Sequence, residues 1–207
     1  MRIMAVTKTV PIERILPVLA DQHISLIGES RWQEAKDKVL LLPPGIEKHF
    51  IGHLQTNKVK DVVSAFDAIE TIDSAKLLQT VSTVASEQGK TMLIFLQVNI
   101  SNDPAKYGFK LEDLEEAVTL ARSLPGIGLV GLMTITAKQS PEQTRANFRQ
   151  MKQLQLQYQL PELSMGMSDD WKIAEEEGAT IVRLGTALFG ERKPAIVPYQ
   201  TWVFSYC

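Results

Sequence analysis

Three short stretches carry residue types that could do chemistry together. Arg2-Ile3-Met4-Ala5-Val6-Thr7-Lys8 is an apolar run that ends on a lysine. Desolvation disfavours the ammonium form of an amine held at the end of a buried strand. A neutral lysine attacks carbonyls and forms Schiff bases. The second stretch, Ser164-Met165-Gly166-Met167-Ser168-Asp169-Asp170, offers two hydroxyls around a glycine. The third, Arg183-Leu184-Gly185-Thr186, opens a short helix-like segment, Ala187 to Gly190. Free N–H groups there could face an anion. Together the second and third stretches read as a phosphate cradle. On their own, the same glycines could simply end strands and the same serines could cap helices.

Elements must bring these residues together. Strand-like segments run over 3–7, 25–27, 48–51, 68–72, 91–100, 128–134, 162–165 and 180–184. Amphipathic segments alternate with them at 13–20, 30–39, 55–66, 74–88, 111–123, 141–159 and 170–177. Pro17 is expected to kink or shorten the first helix, Ser74 to cap the fourth, and Gly178 to end the last of these. Strand then helix, about eight times over, predicts a parallel α/β fold. No G-x-G-x-x-G turn follows an early strand, as an open dinucleotide-binding sheet would show. Polar residues instead close nearly every strand, and a (β/α)8 TIM barrel gathers such ends around one mouth. The sector after strands seven and eight is where barrels often bind phosphate. Residues 1–192 are read as one barrel domain and 193–207 as a C-terminal tail.

Arg183 should point inward if Val182 and Leu184 point outward. It then needs a partner, which a ligand nitrogen, an acidic ligand group or Glu29 could supply. His49 and His53 are four apart, but no third ligand at suitable spacing argues for a metal. Asp169-Asp170 reads as a helix N-cap, and Glu175 to Glu177 as a solvated face.

Bulk properties narrow the class. The chain has 207 residues, 44% hydrophobic, with a formal charge of −2. That balance gives no electrostatic case for nucleic-acid binding. No apolar run approaches the roughly 20 residues of a membrane span, and the short N-terminal run is not a signal peptide. The single cysteine, Cys207, can form no disulfide within the chain. A reducing, cytoplasmic setting is expected.

The motifs, in order, resemble the pyridoxal phosphate homeostasis protein family. They are Ala5-Val6-Thr7-Lys8, Gly28-Glu29, His49-Phe50-Ile51-Gly52 with Leu54-Gln55 and Asn57-Lys58, and Val98-Asn99-Ile100. Lys106-Gly108-Phe109, Gly131-Leu132-Met133, Leu163 to Asp170, and Arg183 to Thr186 with Phe189-Gly190 complete them. The resemblance implies a single-domain barrel similar to the N-terminal domain of alanine racemase, with a shortened N-terminus. It implies pyridoxal 5'-phosphate (PLP) held as a Schiff base on Lys8. Ser164 or Ser168 and the amides of Gly185 and Thr186 would hold the phosphate, and Arg183 would face the ring nitrogen. Ser30, His49, Met133 and Met165 complete the expected cofactor-binding set. An arginine there favours an unprotonated ring, a weak electron sink for carbanion chemistry. The expected role is therefore non-catalytic holding of PLP in vitamin B6 and amino-acid homeostasis, by a monomer, with apo-PLP enzymes as possible recipients. A single-domain PLP-dependent amino-acid racemase is the alternative. An interaction module that senses PLP for a protein partner is a third class.

Overall fold

A computed structural model of the chain describes residues 1–191. The tail read at 193–207 lies outside the described residues. Eight parallel strands close into a barrel in chain order: β1 (Arg2–Val6), β2 (Leu26–Glu29), β3 (Glu47–Phe50), β4 (Ala68–Ile72), β5 (Met92–Gln97), β6 (Ile127–Met133), β7 (Glu162–Met167) and β8 (Ile181–Leu184). The first and last strands close the ring in register, with Met4 opposite Arg183 and Ala5 opposite Leu184. Helices alternate with them: α1 (Ile12–Asp21), α2 (Trp32–Val39), α3 (Val59–Ala65), α4 (Ala75–Glu87), α5 (Leu114–Ser123), α6 (Pro141–Gln157), α7 (Trp171–Glu176) and α8 (Thr186–Phe189). The open-sheet alternative is excluded.

Strand alternation divides the core into layers. Met4, Leu26, Ala68, Phe95, Met133 and Ile181 pack as one cluster inside the barrel. Val182 and Leu184 join the large cluster between sheet and helices. Ala5 and Ile27 meet α1 and α8 through Ile15, Leu19 and Phe189. Among the described residues no helix is long and apolar enough to cross a membrane.

Local chemistry sets most boundaries as the sequence implies. Ser74 accepts a hydrogen bond from the Leu77 N–H at the start of α4, and Ser140 with Gln143 forms a capping box on α6. Gly178 takes φ +86° just past α7. Asp170 does occupy the N-cap position of α7, but its carboxylate accepts from the Met167 N–H, 2.6 Å away, rather than from α7.

Three local readings are corrected. Pro17 lies inside α1 without ending it. Its side is exposed, so water can take the Glu13 carbonyl that proline leaves unbonded. The Glu175 to Glu177 run is not merely solvated, because Glu176 and Glu177 pair with Arg145, and Glu177 also pairs with Arg149, both on α6. β7 runs on to Met167 through a register shift, Ser164 facing Ile181 and Met167 facing Arg183. Gly166 carries that irregularity at φ +89°, and a Cβ there would lie 2.5 Å from the Ala174 methyl.

Candidate functional site

All strands point the same way, so their C-terminal ends form one rim. Lys8 sits on that rim, half-buried, two residues past the end of β1. It lines a cavity of about 170 Å³ together with Val6, Arg14, Gly185, Thr186 and Phe189. Gly185 ends β8, and Thr186 opens α8. The two ends of the described chain thus meet at one site.

Gly185, which lines this cavity, belongs to an amide cradle. The N–H groups of Gly185 and Ala187 both point at the Ser168 hydroxyl, each at 3.4 Å. These contacts are long for hydrogen bonds, so an anion could readily replace the hydroxyl as acceptor. Two convergent amides and a hydroxyl at the start of a helical turn are the donor set a phosphate needs. The Ala187 amide and Arg14 are additions to the site. Arg14 donates to the Phe189 carbonyl at 2.6 Å and so ties α1 to the end of α8. Its signal in the sequence was faint, a basic residue one turn into the first helix.

The barrel interior holds a second arrangement, a polar thread. Arg2 at the floor donates to Glu47. Glu47 Oε1 lies 2.6 Å from His49 Nε2, and His49 Nδ1 lies 2.7 Å from Glu70 Oε1. The Ser164 hydroxyl donates to Glu70 Oε2 at 2.6 Å and accepts from Arg183 Nη1 at 2.8 Å. Arg183 Nη2 donates to the Thr134 carbonyl at 2.7 Å. Charges alternate in sign along the thread, and its central members are fully buried. Each buried charge therefore has opposite-charge or hydrogen-bonding neighbours, as burial requires.

Both ring nitrogens of His49 face carboxylates, so both must donate and the ring is an imidazolium. Burial alone would push its pKa down. Hydrogen bonds to Glu47 and Glu70 outweigh that and raise it to about 9. The His49 hydrogen bond chiefly, with Arg2, lowers Glu47 to about 2 against the opposing effect of burial. Burial presses the Arg183 guanidinium downward, while Glu70 and Asp170 oppose it.

Stability should follow these shifts. The His49 contribution is complete below its ordinary value of 6.5 and is lost as pH rises through about 9. The Glu47 contribution is present above 4.5 and is lost as pH falls through about 2. Urea midpoints measured across the alkaline range should fall between those His49 limits in the wild type. A His49→Gln variant should show a flatter profile there, and an identical profile in both would reject the imidazolium assignment.

The expected site residues therefore separate into two groups. Lys8, Gly185 and Thr186 line one cavity, and Ser168 stands against its amides. Ser164, His49 and Arg183 instead lie within the thread, and none of them is among the residues lining that cavity. Of the two serines expected for the phosphate, Ser164 is engaged by Glu70 and Arg183 in this structure, and Ser168 meets the Gly185 and Ala187 amides. Glu29 is not the partner of Arg183. Its carboxylate binds Thr7 and Lys38 on the outer side of the barrel. Met133 packs inside the barrel, and Met165 packs in the outer core. Ser30 borders a different cleft, with His53, Gln55 and Lys58. The close approach of its carbonyl explains Gly52, where a Cβ would lie 1.9 Å from that oxygen. His53 points away from His49, stacked on Tyr107 at 4.1 Å and near Asp73.

Comparison with known proteins decides the family. The family described as alanine racemase, N-terminal domain, matches residues 1–193. The pyridoxal phosphate homeostasis protein of Aquifex aeolicus (strain VF5) is 38% identical over 200 residues, covering 93% of this chain and 87% of that protein. The chain belongs to the pyridoxal phosphate homeostasis protein family. The family member of Escherichia coli (strain K12) is 35% identical over 202 residues, covering 92% and 85%. Among solved structures, PipY of Synechococcus elongatus PCC7942 with PLP bound superposes with a TM-score of 0.83 at 35% identity, over 92% of each chain. Alanine racemase of Clostridium difficile 630 shares the fold, with a TM-score of 0.76 at 16% identity, over 94% of this chain and 53% of the enzyme.

Proposed function

We propose that this family member binds PLP at the Lys8 cavity and serves intracellular PLP and amino-acid homeostasis by holding the cofactor without turning over substrate. The observation that carries the reading is that Lys8 shares a cavity with Gly185 and Thr186, where the Gly185 amide, with that of Ala187 beside it, converges on the Ser168 hydroxyl. The donor set fits the cofactor, with an amine for its aldehyde and amides plus a hydroxyl for its phosphate. The PLP-bound structure of PipY supports the same reading. When bound, PLP supplies an aldehyde that a neutral amine captures with loss of water.

Each residue has a definable task. Lys8 supplies the amine. Ser168, Gly185 and Ala187 hold the phosphate, and Thr186 starts the turn that aims those amides. Arg183, on β8 two residues before Gly185 and outside the lining of the Lys8 cavity, is assigned to the ring nitrogen from the family resemblance. Fixed by Ser164 and Thr134, its guanidinium can only donate there. The ring then stays a weak electron sink. Besides Lys8, the ionisable cavity residues among the described residues are Arg14, an obligate cation, and Glu191, exposed at the rim. That lining suits holding better than proton exchange on two faces of a substrate.

Reconstitution with PLP tests the reading. The wild-type protein should develop the visible absorbance of a lysine-bound pyridoxal group, and a colourless mixture would reject it. Transfer of the bound cofactor to an apo-enzyme should outpace release into buffer. Sustained racemisation of L-alanine, read by chiral analysis, would replace holding by catalysis. Ser168→Ala should weaken PLP binding about threefold to tenfold, the loss of one hydrogen bond to a charged group. Titration with pyridoxal, which lacks the phosphate, should not distinguish that variant from wild type.

A further inference from the structure

We propose that α2 is a brace for the Lys8 turn, with Glu34 and Lys38 as positioning residues for the amine. The inference rests on the reading that Lys8 holds the cofactor.

Three observations converge on the turn. Thr9, directly after Lys8, sits at φ +64°. A β-branched residue in this region is a genuine outlier that holds backbone strain. A turn serving only to connect a strand to a helix would ordinarily use glycine or asparagine there. The Thr9 N–H is held by the Glu34 carboxylate, and the Thr9 hydroxyl donates back to the Lys8 carbonyl at 2.6 Å.

The other side of Lys8 is gripped as firmly. Lys38 Nζ donates to the Thr7 carbonyl at 2.8 Å and pairs with Glu29 Oε1 at 2.5 Å. The Thr7 hydroxyl donates to the same Glu29 oxygen at 2.7 Å. Glu29 is fully buried, and its Oε2 has no hydrogen-bond partner among the described residues. Burying such a carboxylate opposes folding. Lys38 also lies 3.6 Å from Glu34, one helical turn earlier, so both grips belong to one rigid element. Thr7 O, Lys8 O and Thr9 N are therefore all engaged, and the chain carrying the amine cannot pivot independently of α2.

A braced amine spends more of its time where a carbonyl carbon held by the cradle would sit. Loosening the brace should speed cofactor loss more than it lowers stability.

The test compares wild type with Glu34→Ala, Glu34→Gln and Thr9→Gly. Glu34 is partly exposed, and glycine tolerates the turn's φ without cost, so these chains should fold. Each is loaded with PLP and diluted into a trap for free cofactor, and decay of the visible band gives the release rate. Thermal midpoints of the unloaded proteins are recorded in parallel. Glu34→Ala and Thr9→Gly should release PLP roughly tenfold faster, with the Thr9→Gly midpoint unchanged or raised. Glu34→Gln should recover most of the wild-type rate, because its amide oxygen still accepts from Thr9. A wild-type release rate in Glu34→Ala would overturn the proposal, whatever Thr9→Gly shows. So would losses that merely track the fall in midpoint. A wild-type protein that never develops the band defeats the cofactor reading itself, and this inference with it.

Discussion

Glu70→Ala should destabilise the fold by roughly 3–5 kcal/mol, the range for removing one partner of a buried ion pair. Glu70 receives His49 on one oxygen and Ser164 on the other, and it is fully buried. Its loss strands an imidazolium and weakens the hold on Arg183 at once. In a domain of this size each kcal/mol moves the thermal midpoint by roughly 2–4 °C. Calorimetry should therefore show a fall of about 6–20 °C. Glu70→Gln should fall less, since the amide oxygen can still accept from one neighbour. A Glu70→Ala protein that melts within about 2 °C of wild type would show that the thread does not act as a unit.

Lys8→Ala should abolish the visible band on reconstitution. Lys8 is half-buried at the rim and is the sole lysine among the described residues that line the cavity. Lys8→Arg should be equally colourless, because a guanidinium stays protonated and cannot act as the amine nucleophile. Weak phosphate-dependent binding should survive in both variants through Ser168 and the Gly185 and Ala187 amides, measurable by equilibrium dialysis. Band formation in either variant would move the covalent attachment to another lysine and dismantle the assignment.

The strands and helices were legible in the sequence because apolar period and caps decide them locally. The inward turn of Arg183 was legible too, since Val182 and Leu184 flank it in a simple alternation. The structure separates Ser164 from Ser168 for a definite reason. Four residues apart on a regular strand, they would share a face. The irregularity at Gly166 breaks that alternation, leaving Ser164 deep in the barrel and Ser168 at the rim. The thread itself could not be read, because Glu47, His49, Glu70, Ser164 and Arg183 come from four strands. Only the register of the closed barrel makes them neighbours. His49 looked like a cofactor contact for its motif, and its two carboxylate partners lie where spacing gives no hint.

Ring closure also imposes a schedule on synthesis. β1 is made first, yet one of its edges waits for β8, which is made last. A chain leaving the ribosome exposes that edge throughout elongation, the interval in which unpaired strands invite misassembly. The Lys8 amine is made before seven of the eight strands, whereas the amides of Gly185 and Ala187 follow the last of them. On the proposed reading of the Lys8 cavity, cofactor loading would certify completion: a truncated nascent chain would carry the amine without the amides that retain the ligand, and colour would develop only on barrels that have closed.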